Sequence, residues 1–278
     1  MIDLRQSKEY TKYMHALGWE VLQLNGDRVY LRSIPLLGFI AKMQRPRIIP
    51  SPADVRAFCG EHKVRAFYLE PLRAEPQVDG FHRARSSFVP AKTIHVDLTK
   101  LEAELLKACK PKTRYNIGLS RRRGIRIENS QDIEKFISMW KKSATERGMW
   151  LSQDKEIDAL YGAFGKNAEL LFAYKDTELL GGVFICYTAS AGYYMYAGST
   201  KEGKQLFAPT FLAWEAINSS KKRKKKVFDF EGIYDSRYFS TKTWRGFTKF
   251  KEGFGGEVLE YPPTLVYYAN PLLKILGL

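Results

Sequence analysis

The sequence predicts a mixed α/β protein made of two similar units in tandem. The second half of the chain places three short apolar runs before a helix-period segment and one further apolar run, and the first hundred residues repeat this order more faintly. No low-complexity linker separates the halves. We expect the first unit to span residues 1–98 and to be joined by the tail 262–278, and the second to span residues 99–261. Units joined in this way are expected to pack closely and to form a cleft.

The second unit has the more legible pattern. Two helical segments, "DIEKFISMWKKSATERG" and "DKEIDALYGAFG", precede the strands "AELLFAY", "LLGGVFICY" and "GYYMYAGS". The helix "APTFLAWEAINSS" follows, with Pro209 near its first turn, where the missing N–H of proline needs no partner. "VFDFEGI" is predicted as the next strand. This order is the core of the acyl-CoA N-acyltransferase-like (GNAT-like) fold, so the predicted fold class is two tandem GNAT-like domains.

The first unit repeats the order with weaker signals. A helix is predicted around "SKEYTKYMHAL", followed by the strands "WEVLQL", "RVYLRSI" and "LLGFIAKM". The helix "SPADVRAFCGEH" and the strand "VRAFYLEP" complete the copy. The segment "KTIHVDLTKLEAELLKACK" is expected to carry the chain through Asp97 and a helix into the second unit.

Composition excludes several classes of protein. No window approaches the roughly 18 uninterrupted apolar residues of a membrane span, and the charged start "MIDLRQSKEY" lacks the apolar segment of a secretory signal. We therefore expect a folded, soluble, cytoplasmic protein. The three cysteines are far apart and the four histidines form no paired spacing, which argues against a disulfide framework and a zinc site. We expect neither a metal nor a cofactor.

The chain is strongly basic. It has 45 Lys and Arg against 30 Asp and Glu, a formal charge of +15, and such a charge attracts polyanions such as RNA, nucleotide phosphates or anionic lipid headgroups. The excess gathers in "KACKPKTRYN", "SRRRGIRI" and "SSKKRKKKVFDF". The six consecutive basic residues Lys221 to Lys226 are either the solvated end of a helix or a contact with a nucleic acid backbone.

One loop argues against coenzyme A as the acyl donor. Enzymes of this fold that use coenzyme A usually hold the pyrophosphate on a glycine-rich turn between the central strand and the following helix. The corresponding loop here, "AGSTKEGKQLFAP", carries only Gly198 and Gly203, with bulky residues elsewhere. The sequence therefore favours a different acyl donor.

Six motifs, in the same order, resemble the Fem family of peptidoglycan-bridge aminoacyltransferases. They are "QSKEY", "KPKTRYNIGLSRRRGIRI", "YYMYAGS", "FLAWEAI", "FDFEGI" and "FKEGFGGE". The resemblance extends over nearly the whole chain. It implies an enzyme of cell wall biogenesis, which also governs cell shape, that moves an amino acid from aminoacyl-tRNA to the stem-peptide amine of a peptidoglycan precursor. It also implies that the tail "LVYYANPLLKILGL" packs on the first unit.

The resemblance assigns a catalytic lysine. Lys251 in "FKEGF" matches the catalytic lysine of the family, and Phe250 matches its aromatic partner. Aminolysis of an activated ester needs no covalent nucleophile, but it needs orientation and a positive group near the developing oxyanion. The alternative is that Lys251 is a surface lysine on a terminal strand.

Other candidate residues follow from position and from the resemblance. Tyr194 and Tyr196 are expected on one face of a strand toward the acceptor, or else as strand aromatics of the core. Asp229 is expected at a strand end, where ligands collect in such folds, or as a local cap. The predicted substrate-binding set is Tyr194, Tyr196, Asp229, Lys204, Lys12, Lys42 and Arg45. The predicted tRNA-binding set is Arg114, Lys221, Lys222, Arg223 and Lys224.

The chain departs from the family pattern at three positions. The resemblance implies a lysine on the N-terminal helix and an arginine before "YMYAGS", but these positions hold Met14, with Lys12 half a turn away, and Ser190. Glu231 stands where glycine is usual. The acceptor is therefore expected to be held differently, by basic residues of "AKMQRPR", or to be a different molecule.

The sequence is also compatible with other functions. One is a GNAT-like N-acyltransferase that uses acyl-CoA or an acyl carrier protein, and another is a non-catalytic RNA-binding protein on the same scaffold. Under the preferred hypothesis, glycine, alanine and serine all suit the reaction. The acceptor is either UDP-MurNAc-pentapeptide or lipid II, and the second involves peripheral contact with the membrane.

Overall fold

The computed structural model describes residues 3–35, 38–73, 79–146, 148 and 153–270. The chain divides into two compact units. The first comprises Met1–Lys92, Tyr234–Thr243 and Glu260–Leu278, and the second comprises Thr93–Ile233 and Trp244–Leu259. Two leucines that begin the predicted strand "LLGFIAKM", at positions 36 and 37, and residues 271–278 of the predicted tail lie outside the described residues.

The described residues of the first unit form a six-stranded sheet and two α-helices. Its helices are α1 (Lys8–Ala16) and α2 (Pro52–Glu61), and its strands are β1 (Glu20–Leu24), β2 (Asp27–Ile34), β3 (Gly38–Gln44), β4 (Val64–Glu70), β5 (His82–Arg83) and β13 (Leu265–Tyr268). The strand order is β1-β2-β3-β4-β13-β5, and only β3 and β4, which α2 connects, are parallel among these neighbours. Local sequence sets the start of α2, because Ser51 and Asp54 form a capping box.

The second unit is a seven-stranded sheet with helices. Its helices are α3 (Glu102–Ala108), α4 (Pro111–Arg122), α5 (Ile133–Thr145), α6 (Asp154–Phe164), α7 (Lys201–Gln205), α8 (Ala208–Lys222) and α9 (Arg245–Lys251). Its strands are β6 (Lys92–Asp97), β7 (Arg126–Ser130), β8 (Ala168–Lys175), β9 (Glu178–Tyr187), β10 (Ala191–Ser199), β11 (Val227–Asp229) and β12 (Glu257–Glu260). The order is β12-β6-β11-β10-β9-β8-β7. The sequence patterns do not predict β7 or α7.

The two units share one connectivity. In each, three antiparallel strands are followed by a helix and a fourth strand that lies parallel to the third, as β1-β2-β3-α2-β4 and as β8-β9-β10-α8-β11. A hairpin turn reverses the chain direction and so joins only antiparallel strands. Two parallel strands need a longer crossover connection, and in both units that connection contains a helix. The internal repeat predicted from the sequence is therefore present in the topology.

One predicted strand is shorter than expected. The sequence predicts a strand over "VFDFEGI", but β11 ends at Asp229. The backbone of Glu231 has a φ of +58°, which lies in the left-handed region and is incompatible with an extended strand. In addition, the side chain of Asp229 accepts a hydrogen bond from the backbone N–H of Glu231. This bond takes the place of a bond to a neighbouring strand.

Each unit has its own apolar core. In the second unit the core lies between the sheet and α8, and it includes Trp214, Phe228 and Phe230, each at most 1% exposed. In the first unit it lies between the sheet and α2, with Val55 and Phe67 fully buried. No helix in the described part of the chain is both long and apolar enough to cross a membrane.

Packing requires glycine at positions 198 and 203, in the loop "AGSTKEGKQLFAP". Gly203 lies in α7, where a Cβ atom would come within 2.1 Å of the carbonyl oxygen of Leu180. At Gly198 a Cβ atom would lie 2.8 Å from the sulfur of Met139. Both glycines therefore allow close contact with the chain's own atoms.

We predict that Gly203→Ala destabilises the fold. The added Cβ meets backbone, which cannot rotate away, so the free energy of unfolding should fall by about 1–3 kcal/mol. Gly162→Ala is the matched control, because that position in α6 has no atom within 4 Å of an added Cβ, and it should be neutral or stabilising by about 0.5–1 kcal/mol. Urea denaturation measures both variants. Equal stability of the two would contradict the packing argument.

Candidate functional site

Lys251 is the last residue of α9, and its side chain is buried. It is 8% exposed, and its Nζ donates a hydrogen bond of 2.6 Å to the backbone carbonyl oxygen of Gly232. The Nζ also lies 5.2 Å from the ring centroid of Phe247, which stands one helical turn earlier in α9. The structure therefore does not place Lys251 on the surface of a terminal strand. Its ammonium group is held at a fixed point.

Burial changes the protonation of Lys251. Desolvation lowers the pKa of Lys251 to about 8, while the charges of Glu231 and Asp229 act in the opposite direction. At neutral pH the group is mostly protonated, and it loses its charge as the pH rises through about 8. The site thus holds a cation that is less solvated than an ordinary lysine.

A fixed turn presents the carbonyl group that Lys251 uses. The N–H of Glu231 donates to Oδ1 of Asp229 at 2.7 Å, and the carbonyl of Glu231 accepts from the hydroxyl of Thr93 at 2.9 Å. Both backbone polar groups of residue 231 are therefore held by side chains. Because Gly232 follows directly, its carbonyl oxygen is held as well.

Asp229 anchors this turn from the end of β11. It is 4% exposed, its carboxylate lies 3.0 Å from Nε2 of His95, and it shares the single hydroxyl proton of Thr93 with the carbonyl of Glu231. Burial by itself would raise the pKa of Asp229. The hydrogen bond and charge of His95, the hydrogen bond of the Thr93 hydroxyl and that of the Glu231 backbone N–H together hold the pKa below its ordinary value. Asp229 thus remains a carboxylate inside the protein, close enough to Lys251 to favour its protonated form.

Glu231 is a charged residue in an unfavourable backbone conformation. Its φ of +58° is one that a glycine adopts at no steric cost, and Glu231 is 9% exposed. The sequence resemblance gives glycine as the usual residue here, and the left-handed backbone supplies a physical reason. In this chain the position adds a negative charge beside Lys251.

The ring over Lys251 is not the one predicted. The resemblance assigns Phe250 as the aromatic partner, but the ring that the structure records over Nζ is that of Phe247. Phe250 packs edge-on against Phe254 at 5.3 Å and adjoins the core. The spacing of four residues from Phe247 to Lys251 on a helix was the signal available in the sequence. A catalytic role for Phe250 stays a prediction.

Tyr194 and Tyr196 do not lie on one face of β10, so that expectation is wrong. A β-bulge between them makes Tyr194 pair with Ile185 and Tyr196 with Phe184, which are neighbours on β9 and point to opposite faces. Tyr194 packs in the core against Phe230, with ring centroids 5.6 Å apart. Tyr196 instead packs near Trp140 of α5. An extra residue in a strand reverses the alternation of side chains.

The basic run 221–226 alternates between two environments. Lys221 donates to the carbonyl oxygens of Leu98 and Lys100 at 2.9 and 2.6 Å. Arg223 pairs with Glu169 at 3.4 Å and lies over the ring of Tyr187, and Lys225 donates to the carbonyl of Ala189. In the described part of the chain, no side-chain hydrogen bond or ion pair is recorded for the exposed residues Lys222, Lys224 and Lys226.

Arg114 and Lys204, the other predicted binding residues of the second unit, contact groups of the protein itself. Arg114 is partly buried and donates to the carbonyl oxygens of Lys107 and Cys109, which closes the C-terminal end of α3. Lys204 is exposed in α7 and lies 4.0 Å from a carboxylate oxygen of Glu146. Roles in tRNA or substrate binding for these residues stay predictions.

The remaining candidates lie in the first unit. Lys12 is exposed on α1, whereas Met14, at the position where the resemblance implies lysine, is 3% exposed and packs with Trp19. Arg45 is 2% exposed and donates to the carbonyls of residues 71 and 90 at 2.9 and 2.6 Å. Lys42 is 9% exposed between aromatic rings. Substrate binding by these three basic residues stays a prediction.

The chemical group that the candidate site of the second unit offers is the buried amine of Lys251. Among the described residues, no group of three His, Cys, Asp or Glu side chains is arranged to hold a metal ion. The buried ammonium of Lys251 is a preorganised hydrogen-bond donor of the kind that stabilises an oxyanion. A group of this kind suits acyl transfer between an ester and an amine.

Comparison with known proteins supports the resemblance found in the sequence. Residues 174–276 match the model of the FemAB family, a segment that includes Lys251, and this confirms the resemblance over that segment. No curated protein shows a significant match to the chain.

Solved structures show the same fold. The chain is similar to FemX, with a TM-score of 0.82 and 15% identity over 99% of this chain and 95% of that one. It is also similar to L-PGS from Bacillus licheniformis, with a TM-score of 0.60 and 14% identity over 95% and 90% of the two chains. A tandem GNAT protein from the clavulanic acid biosynthesis pathway has a TM-score of 0.52 and 13% identity over 90% and 82%. The prediction of two tandem GNAT-like domains is confirmed.

We predict that Glu231→Gly and Glu231→Gln both lower the pKa of Lys251 below about 8, because each removes a charge that favours the protonated amine. NMR titration of the lysine side-chain signals measures this. The two variants differ in the backbone: the left-handed conformation costs a residue with a Cβ about 1–2 kcal/mol, so the glycine variant should resist denaturant better than the glutamine variant. An unchanged pKa of Lys251 in both variants would contradict the assigned electrostatic contact.

Proposed function

We propose that this protein is an aminoacyltransferase that moves glycine, alanine or serine from aminoacyl-tRNA to the stem-peptide amine of a peptidoglycan precursor. The match of residues 174–276 to the FemAB family model and the likeness of the fold to FemX support this proposal. The acceptor is UDP-MurNAc-pentapeptide or lipid II. With lipid II the reaction takes place at the inner face of the membrane, where the net charge of +15 favours contact with anionic lipids.

The observation that carries the proposal is the buried ammonium of Lys251, fixed by the carbonyl of Gly232. In the reaction, the acceptor amine forms a C–N bond with the ester carbonyl carbon, and negative charge develops on the carbonyl oxygen. The C–O bond to the ribose then breaks, and the proton lost by the amine leaves with the ribose hydroxyl. Lys251 donates a hydrogen bond to the oxyanion, a contribution of about 2.7–4 kcal/mol for one donor.

The protonation of Lys251 fits this role. A hydrogen-bond donor to an oxyanion must be protonated, and a pKa of about 8 leaves the group mostly charged at neutral pH. Because the group is already desolvated, little solvent has to be reorganised when the oxyanion forms. The acceptor amine, in contrast, must lose its proton to attack. The rate is therefore limited by the amine at low pH and by Lys251 at high pH.

The distribution of charge fits a tRNA donor. The exposed side chains of Lys222, Lys224 and Lys226 are available to bind phosphates, and they follow one another at alternate positions from the last residue of α8 onward. Within the run itself no large apolar side chain accompanies them, whereas membrane-bound amphipathic segments present such side chains beside their basic residues. RNA is therefore the partner that this run favours.

The decisive experiment is incubation of the protein with a pool of charged tRNAs and each of the two precursors, followed by mass analysis of the stem peptide. A mass increase of one or more amino acid residues that depends on charged tRNA supports the proposal. An increase that appears with acyl-CoA instead would show the wrong donor class, and no increase with any donor would refute transferase activity.

We predict that Lys251→Met lowers kcat by about 10²–10³-fold, because it removes one oxyanion donor while keeping the length of the side chain. The Michaelis constants for both substrates should change much less. Lys249→Met is the control, since Lys249 is an exposed lysine of the same helix, and its kcat should equal that of the unaltered protein.

The pH profile gives a second measurement on the same residue. The rate of the unaltered protein should fall as the pH rises through about 8, where Lys251 loses its proton. Arginine stays charged throughout this range, so Lys251→Arg, although slower, should lack the fall. A fall at the same pH in the arginine variant would assign it to another group.

We predict that the triple variant Lys222→Ala, Lys224→Ala, Lys226→Ala weakens tRNA binding and lowers the slope of log K against log salt by about 2–3. A second triple variant changes Lys221, Arg223 and Lys225 to alanine and removes the same charge. These side chains already contact the chain's own groups, so its slope should change little at a temperature where both variants are folded. Equal losses of slope would show that only net charge matters.

A further inference from the structure

Lys42 of β3 is a second buried ammonium group, and it lies in the first unit. It is 9% exposed, and its Nζ lies 3.7 Å from the ring centroid of Trp19 and 4.7 Å from that of Phe88. Two aromatic rings thus cover the cation at distances typical of cation–π contacts. In the described part of the chain, no hydrogen bond or ion pair is recorded for this ammonium.

Glu70 is the acidic residue whose charge acts on Lys42, but its carboxylate oxygens accept hydrogen bonds from other groups. Its carboxylate accepts hydrogen bonds from the side chains of Gln44 and Ser87, both at 2.8 Å, and from the backbone N–H groups of Phe88 and Val89, at 2.7 and 2.9 Å. The charge of Glu70 favours a higher pKa for Lys42, but desolvation is the larger effect. The pKa of Lys42 is therefore lowered to about 8. Glu70 instead fixes the loop that carries Phe88.

Phe88 is held in place on one side and faces solvent on the other. The ring of Phe88 is held by the bonds of its loop to Glu70 and by an edge-to-face contact with Tyr68 at 4.9 Å. Phe88 is nevertheless 45% exposed, so its outer side faces solvent. A ligand can therefore approach Lys42 alongside Phe88 without disturbing the core.

A second cation stands at the same indole ring. The guanidinium carbon of Arg32 lies 5.5 Å from the centroid of Trp19, and Arg32 lowers the pKa of Lys42. In the register of β2 and β3, Arg32 pairs with Ile40 and Tyr30 pairs with Lys42, so both cations project from one face of the sheet. Two like charges at one ring repel each other, and a bound anion would relieve that repulsion.

We propose that Trp19, Arg32, Lys42 and Phe88 form a binding site for a phosphate or diphosphate group. The ligand supplies acceptor oxygens to the N–H donors of Lys42 and to the exposed fork of Arg32, which suits phosphate geometry. The aromatic rings exclude water and strengthen the contact. In identifying the ligand as the diphosphate of the acceptor precursor, this inference rests on the proposed function; the anion site itself does not.

The proposed site would supply positive charge for the acceptor in a chain that lacks the basic residues of the family pattern at positions 14 and 190. Met14 belongs to the same apolar cluster as Trp19, and Ser190 lies in a turn of the second unit. The positive charges at Lys42 and Arg32 are a separate set on strands β2 and β3. An acceptor held there is bound through residues that the sequence resemblance does not assign.

The test is calorimetric titration of the full chain with inorganic pyrophosphate at low salt. Lys42→Met, which keeps the length and removes the charge, should weaken binding at least tenfold, and Phe88→Ala should weaken it less. Lys63→Met removes an equal charge from an exposed residue of the same unit that belongs to neither predicted binding set, and it should leave the affinity within twofold. Equal affinities in Lys42→Met and the unaltered protein would overturn the site.

A stability measurement separates loss of a site from loss of the fold. Burying an ammonium without a hydrogen-bond acceptor is unfavourable, so Lys42→Met should unfold at the same or a higher denaturant concentration than the unaltered protein. A variant that loses pyrophosphate binding and is also less stable would indicate that Lys42 serves the fold, and would count against the proposal.

Steady-state transfer assays with the two precursors connect the site to the reaction. Lys42→Met should raise KM for the acceptor at least tenfold, with UDP-MurNAc-pentapeptide and with lipid II alike if the shared diphosphate is read, and leave KM for aminoacyl-tRNA unchanged. If transfer is absent but pyrophosphate binding depends on Lys42, the proposed function fails and the anion site stands. If transfer occurs and neither KM nor pyrophosphate binding depends on Lys42, only this inference fails.

Discussion

The candidate site depends on one carbonyl oxygen, that of Gly232, being held in place. An ammonium group that is 8% exposed needs an acceptor, and Lys251 finds it there at 2.6 Å. The carbonyl is held because Asp229 and Thr93 bond both backbone polar groups of the preceding residue. Asp229 is itself kept ionised by its partners, His95 among them. The chain of contacts runs from a buried carboxylate through the backbone to the lysine, so the position and the protonation of Lys251 have a common cause.

Among the described residues four cationic side chains are buried, and three of them, Arg45, Lys251 and Lys42, are satisfied in different ways. The guanidinium of Arg45 bonds two backbone carbonyls and lies 3.6 Å from the ring centroid of Tyr261, which gives it a structural role. Lys251 has one carbonyl acceptor and a pKa of about 8, which leaves it donors for a transient anion. Lys42 is covered by aromatic faces. The number of acceptors that the fold supplies to a buried cation thus indicates how much of its bonding capacity is left for a ligand.

Glu231 shows how a backbone requirement and a charge meet at one position. The turn needs a left-handed residue, and glycine would meet that need without a steric cost. Glutamate accepts the cost and places a carboxylate close to Lys251, where it opposes part of the effect of burial on the lysine pKa. The departure from the family pattern therefore changes the electrostatics of the site while the shape of the turn is maintained by side chains of Asp229 and Thr93.

The sequence by itself determined the repeated order of three strands, a helix and a fourth strand in the two units, because the periodicity of apolar residues records which face of each strand or helix is buried. It also singled out Lys251, through a motif. It did not determine that Tyr196 turns away from the face of Tyr194, that the ammonium of Lys251 bonds the carbonyl of Gly232, or that alternate residues of 221–226 are engaged. Those features depend on partners distant in sequence: Phe184 across a bulged strand pair, Gly232 for Lys251, and Leu98 for Lys221, 123 positions away. Local periodicity cannot encode them, because such contacts exist only once the sheets have formed and the chain has packed.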